Sequence, residues 1–253
     1  MSFKKLTAML LCLVLCTALL AGCGAAPAED DTNTLVVATH ATFPPYEYYE
    51  DGQPVGIDLD IMQAVCDHLG YKMEVVDMEF GSIIPAVASG KADVGAAAIT
   101  VTEERAESVH FTTSYATGIQ AVIVQEGSPI TTLEDLRGED VVIGVQQDTT
   151  GDLYATDDFG EEHIARFNKG ADAVQALVTG KCQAVIIDDG PAAAYIALNE
   201  GLALLPTAYT EEDYAFEISY DNEELYQAVN GALEELLANG TIQQIIDQYI
   251  SAD

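Results

Sequence analysis

Ala86-Val-Ala-Ser-Gly-Lys-Ala-Asp-Val94 and Ala176-Leu-Val-Thr-Gly-Lys-Cys-Gln-Ala-Val185 share one pattern: a small apolar helix end, a Gly-Lys turn, then the start of an apolar strand. The first copy runs on into Ala96-Ala-Ala-Ile-Thr-Val-Thr-Glu-Glu-Arg105, the second into Ile186-Ile-Asp188. A second echo pairs the strand around Val36 and its 39–42 loop with the strand 141–145 and its 146–151 loop. Short helix-turn-strand units recur by chance, but two echoes in matching order argue for two similarly wound α/β units. Open sheets bind ligands at the carboxyl ends of their strands, so two such units would bracket a cleft.

The rest of the chain fits that plan. Residues 35–38 read as a buried strand, and 40–49 as a loop stiffened by Pro44 and Pro45 that displays aromatics. Residues 58–69 carry Ile61, Val65 and Leu69 at helical spacing before Gly70; a strand at 73–76 and a helix at 80–89 follow. Strands alternating with helices predict a mainly parallel sheet. The first unit hands over to the second near Gly118, residues 213–219 read as one returning strand, and helices follow at 221–239 and 241–250.

Within 96–105, the small apolar run predicts a buried strand and Thr102-Glu-Glu the opening of a helix. Glu103 and Glu104 suit the positive end of a helix dipole, whereas Arg105 does not. An arginine at a strand-to-helix turn, near free amides and the Thr100 hydroxyl, makes a carboxylate receptor. A surface ion pair with a neighbouring glutamate is the alternative.

Composition narrows the function. With 42 acidic against 9 basic residues, the formal charge is −33, which argues against nucleic acid as a partner. Lys4 and Lys5 precede an apolar run at 6–20 that is too short to span a membrane, and Leu20-Ala-Gly-Cys23 resembles a lipobox. Residues 1–22 therefore read as a signal peptide, Cys23 as the site of lipid attachment and 23–33 as a tether. Cys66 and Cys182 read as small core residues, with no metal motif and no cofactor.

Seven segments resemble the extracellular solute-binding proteins of polar amino-acid ABC transporters. They are Thr42-Phe-Pro-Pro-Tyr-Glu47, Gly56-Ile-Asp-Leu-Asp60, Ile84-Pro-Ala-Val-Ala-Ser-Gly-Lys-Ala-Asp93, Ile99-Thr-Val-Thr-Glu-Glu-Arg105, Gly144-Val-Gln-Gln-Asp-Thr-Thr-Gly151, Ala173-Val-Gln-Ala-Leu177 and Asn239-Gly-Thr-Ile242. Each alone is weak; their order and spacing carry the resemblance. It implies a two-lobed α/β fold of the periplasmic-binding-protein type with a discontinuous first lobe, 34–118 plus 214–253. The second lobe would be 119–213 including the crossings, and a hinge would close the lobes on ligand.

Carried over residue by residue, the resemblance implies that Arg105 takes the ligand α-carboxylate with Thr100 and Thr149, and that Asp188 takes the α-ammonium. Phe43 and Phe80 would flank the ligand. His40 stands near the ligand side chain where the family has an acid or amide, Ala98 replaces a glycine whose carbonyl receives the ammonium, and Asp148 replaces a loop glycine. Phe43 and Phe80 as core, and Asp188 as a helix cap, are the alternatives. The implied function is a non-enzymatic, monomeric, lipid-anchored protein on the outer face of the membrane. It would bind a free amino acid, polar or basic by preference, and deliver it to an ABC permease and its ATPase. A cyclohexadienyl-dehydratase-like enzyme, with His40, Asp148 and Asp188 as acid–base groups, and a sensory module are the competing readings.

Overall fold

A computed structural model describes residues 33–250. The expected leader, lipid attachment at Cys23 and tether as far as Thr32 lie outside them. No helix among the described residues is long and apolar enough to cross a membrane.

The chain forms two large sheets, each flanked by helices, and one small one. The first is built from β1 (Thr34–Thr39), β5 (Lys72–Asp77), β6 (Val94–Gly95), β7 (Val109–Phe111) and β14 (Glu217–Ser219), in the order β5-β1-β6-β14-β7. The second is built from β8 (Ala116–Gln125), β9 (Ile143–Gln146), β10 (Ile164–Phe167), β11 (Ala184–Asp188) and β12 (Leu202–Leu204), in the order β10-β9-β11-β8-β12. A further strand, β13 (Thr210–Tyr214), also pairs with β8. In each sheet a central parallel strand, β1 or β9, lies between two others, and an antiparallel strand follows on one side. The two sequence echoes thus occupy equivalent places. Helix α2 (Ile83–Ala88) feeds β6 as α4 (Gly170–Val178) feeds β11.

Helix α1 (Ile57–Leu69) buries Ile57, Ile61, Met62 and Val65 against the first sheet and against α6 (Glu223–Ala238) and α7 (Thr241–Tyr249). Leu225, Val229, Leu233 and Leu236 form the facing stripe of α6, the spacing expected of one helical face. In the second sheet, α3 (Thr150–Phe159) and α5 (Asp189–Leu198) complete the layers. Cys66 and Cys182 are buried free thiols, and burial pushes both up to about 11.

Three local expectations need correction. The returning strand at 213–219 is two strands in different sheets: β13 ends on β8 at Tyr214, and three residues later, at Glu217, β14 enters the first sheet. Backbone bonds from Thr112 to Phe216 and from Tyr115 to Tyr214 run the two crossings side by side, so the sheet change is set by that pairing. The loop at 40–49 folds into a small sheet of β2 (Thr42–Phe43), β3 (Glu47–Glu50) and β4 (Gln53–Val55), whose alternation the two prolines obscure. The helix expected from Thr102 is a single 3-10 turn, Arg105–Glu107, because the chain must re-enter the sheet at Val109.

Candidate ligand-binding cleft

The carboxyl ends of both sheets meet at one small cavity. Phe43, Phe80, Ala98, Thr100 and Arg105 line it from the first lobe, and Thr149, Thr150 and Asp188 from the second. Its volume is about 20 Å³, room for about one water molecule, so the lobes stand closed on each other. Direct bonds join them. Arg105 Nη2 donates to the Asp148 carbonyl at 3.2 Å, the Thr100 and Thr150 hydroxyls lie 3.3 Å apart, and Tyr195 Oη donates to the Thr42 carbonyl at 2.8 Å.

Arg105 is 9% exposed. Its backbone N–H donates to Thr102 Oγ1 at 3.1 Å, which fixes the turn, and Nη1 donates to the Thr100 carbonyl at 2.9 Å. The guanidinium carbon stands 5.5 Å from the centre of the Phe80 ring, a cation–π contact. Burial lowers its pKa, and the charges of Glu217 and Glu212 oppose that effect. The surface-pair alternative does not describe this residue: no carboxylate among the described residues lies within ion-pair distance of it.

Asp188 ends β11 and is buried at the start of α5, where its side chain makes no capping bond. Tyr214 Oη donates to it instead. Burial and the nearby Glu212 push its pKa up to about 7, against the pull of the tyrosine. Asp189, one residue on, accepts from the Gly190 N–H at 2.8 Å.

Ala98 breaks the strand expected through 96–100. Its φ of 46° is left-handed, and the chain turns there, between the end of the ladder at Gly95 and an isolated bridge from Thr100 to Tyr214. Asp58 holds it there, accepting from the Ala98 N–H and from Tyr115 Oη, both at 2.7 Å. Desolvation pushes Asp58 up to about 7, and these two donors moderate the rise. A left-handed conformation costs a non-glycine residue about 1–2 kcal/mol. Glycine adds about 0.4–1 kcal/mol of unfolded-state entropy to be lost. Ala98→Gly should therefore stabilise the protein by up to about 1 kcal/mol, read from urea unfolding at constant m-value.

Two expected site residues sit differently from the others. His40 is buried with Nδ1 bonded to the Met78 carbonyl at 2.8 Å, and it does not line the cavity. Thr149 lines it, but its hydroxyl caps α3, accepting from Asp152 N–H at 3.3 Å and donating to the Gln146 carbonyl at 2.8 Å. The hydroxyl facing Thr100 belongs to Thr150.

The sequence reading also missed a group of buried acids. Glu47, at the start of the central strand β3 of the small sheet, lines the cavity at 1% exposure, and its Oε2 has no hydrogen-bond partner. Burial first, then the charges of Asp58 and Asp188, raise its pKa well above the usual carboxylate range. Glu212 accepts from Thr100 Oγ1 at 3.1 Å and Gln120 Nε2 at 3.0 Å, tying the cleft to the crossing strands. Glu217 is wholly buried with both oxygens unpartnered. Glu47 was visible only as the last residue of a matched segment. Among the described residues no cluster of acids, histidines or cysteines is arranged to hold a metal ion.

Comparison with known proteins agrees with this architecture. The chain is 29% identical over 241 residues to the arginine-binding extracellular protein ArtP of Bacillus subtilis (strain 168), covering 92% of this chain and 93% of that protein. A solved ancestral arginine-binding protein bound to glutamine is 35% identical, with a TM-score of 0.82 over 87% of this chain and 99% of its own. The arginine-, lysine-, histidine-binding protein ArtJ of Geobacillus stearothermophilus is 31% identical, with a TM-score of 0.81 over 87% of this chain and 96% of its own. Residues 35–252 match the family model as well, and the chain belongs to the bacterial extracellular solute-binding proteins, family 3.

Proposed function

We propose that this protein captures a basic amino acid between its lobes and hands it to an ABC permease while held at the outer face of the membrane by lipidated Cys23. The carrying observation is Glu47, a buried cavity carboxylate with an unpartnered oxygen. A zwitterion uses Arg105 for its carboxylate and Asp188 for its ammonium. Glu47 is then left for the side chain, and a buried acid without a partner favours a cation there. The arginine-binding relatives support this choice. Phe43 and Phe80 supply apolar surface for the stem of a long side chain. Binding without turnover is favoured over the dehydratase reading because His40, one of three acid–base candidates, does not line the cavity.

Calorimetry with L-arginine, L-lysine, L-glutamine and L-glutamate tests the reading. A hydrogen bond to a charged group contributes about 1.5–3 kcal/mol. Glu47→Gln should thus weaken L-arginine about 10- to 150-fold while leaving L-glutamine within a few fold. Tightest binding of L-glutamate by the wild type would overturn the assignment.

A further inference from the structure

Asp148 of the second lobe presents two groups to the first. Its φ of 66° is left-handed, and the loop is anchored from behind. The Asp148 N–H donates to Asp152 Oδ2 at 3.1 Å, and Arg166 Nε donates to both Asp152 oxygens at 2.9 Å. Arg166 also pairs with Glu161, so the loop start rests on a charged network. From there the Asp148 carbonyl accepts from Arg105. The carboxylate turns away from the cavity and lies over Gly81, in a crevice between residues 79–82 on one side and Gln147, Asp148 and Asn168 on the other.

A side chain at Gly81 would meet that of Asp148 in this arrangement. A β-carbon there would lie 3.0 Å from Asp148 Cγ and closer still to Oδ2. The backbone does not demand glycine, because Gly81 sits in the 3-10 turn Phe80–Ser82 and is not among the glycines with positive φ. Alanine fits such a turn better than glycine does. What requires the missing side chain is the opposite lobe.

We propose that Gly81 and Asp148 form a size-matched closure contact, in which bulk at position 81 sets how far the lobes close and hence how tightly ligand is held. The exposed Asp148 side chain can turn its Oδ2 aside, but its Cβ, 3.3 Å from a β-carbon at position 81, moves only with the backbone that Asp152 and Arg105 hold. The consequence for affinity rests on ligand being held between closed lobes, as proposed above.

A double-mutant cycle tests the pair, with spin labels at Lys91→Cys and Thr179→Cys, exposed positions on opposite lobes, reporting lobe separation. Gly81→Ala should deplete the short-distance population and weaken L-arginine at least tenfold, with ligand-free melting unchanged or raised. Adding Asp148→Gly should restore both the short distances and the affinity to within about threefold of Asp148→Gly alone. Wild-type distances and affinity in Gly81→Ala would overturn the inference, as would a defect that Asp148→Gly does not rescue. A wild type with no short-distance population, with or without L-arginine, would also overturn it. If L-arginine leaves the wild type unaffected, the basic amino-acid reading fails, and the ligand-free distances of the four proteins still decide the closure contact.

Discussion

Arg105→Ala should lose at least about 30-fold in affinity for L-arginine, and up to a few thousandfold. Removing one partner of a desolvated charge pair costs about 2–5 kcal/mol, much of it because the other charge is left buried and alone. Arg105 meets the conditions for that range. It is buried, oriented by two backbone carbonyls and the Phe80 face, and has no protein carboxylate within ion-pair reach among the described residues. Its charge is therefore available to a ligand carboxylate. The ligand-free protein should melt within a few degrees of wild type, since the lost bonds are made at the cleft. Calorimetry paired with ligand-free melting checks both halves. Affinity within threefold of wild type would show that the carboxylate is bound elsewhere.

The ligand-free protein should become less stable as pH rises from 5 to 8.5, and Glu217→Gln should remove part of that loss. Asp58 and Asp188 are pushed up to about 7 and Glu217 to about 8, while Glu47 lies well above the usual range. For Glu217 the cause is burial first; Arg105 opposes the rise and Asp58 adds to it. The unfolded chain releases these protons near pH 4, whereas the folded chain keeps them. Between about 4 and 8 the folded state thus binds more protons, and stability falls as pH rises. This contribution is fully present below the unfolded value and is lost as pH passes the folded ones.

Glu217 is the group to test because it takes no hydrogen bond and lies outside the cavity. Its carboxylate packs over Gly95, which has no side chain to obstruct it. Glutamine has nearly the same shape and cannot ionise. Between pH 5 and pH 8.5 the variant should lose roughly 10 °C less than wild type, from a proton affinity of about 1.4 kcal/mol per pH unit. Self-repulsion of the acidic surface acts on both proteins and cancels in the difference. Parallel melting curves across that range would refute the assignment.

The winding of the two lobes is legible in the sequence because it depends on short-range periodicity. Gly90-Lys91 and Gly180-Lys181 end helices and start strands wherever they occur, and the order of the echoes matches the order of the strands in each sheet. The place of Arg105 at the cleft is partly legible: a cation just after an apolar run needs a local explanation, although the helix expected there is a single 3-10 turn. The crossing of β13 into β14 is not legible, since a continuous extended run looks the same whether its two halves pair with one sheet or two. Nor is the acid group. Glu47, Glu212 and Glu217 look like any others among 42 acidic residues, and only the meeting of distant segments buries them and leaves some of their oxygens without partners. The same holds for Gly81, whose backbone needs no glycine and whose neighbour across the cleft is 67 residues away in the chain. Local pattern determines the elements and their winding. Burial, charge balance and the fit between lobes arise from which surfaces meet, and those only the tertiary structure decides.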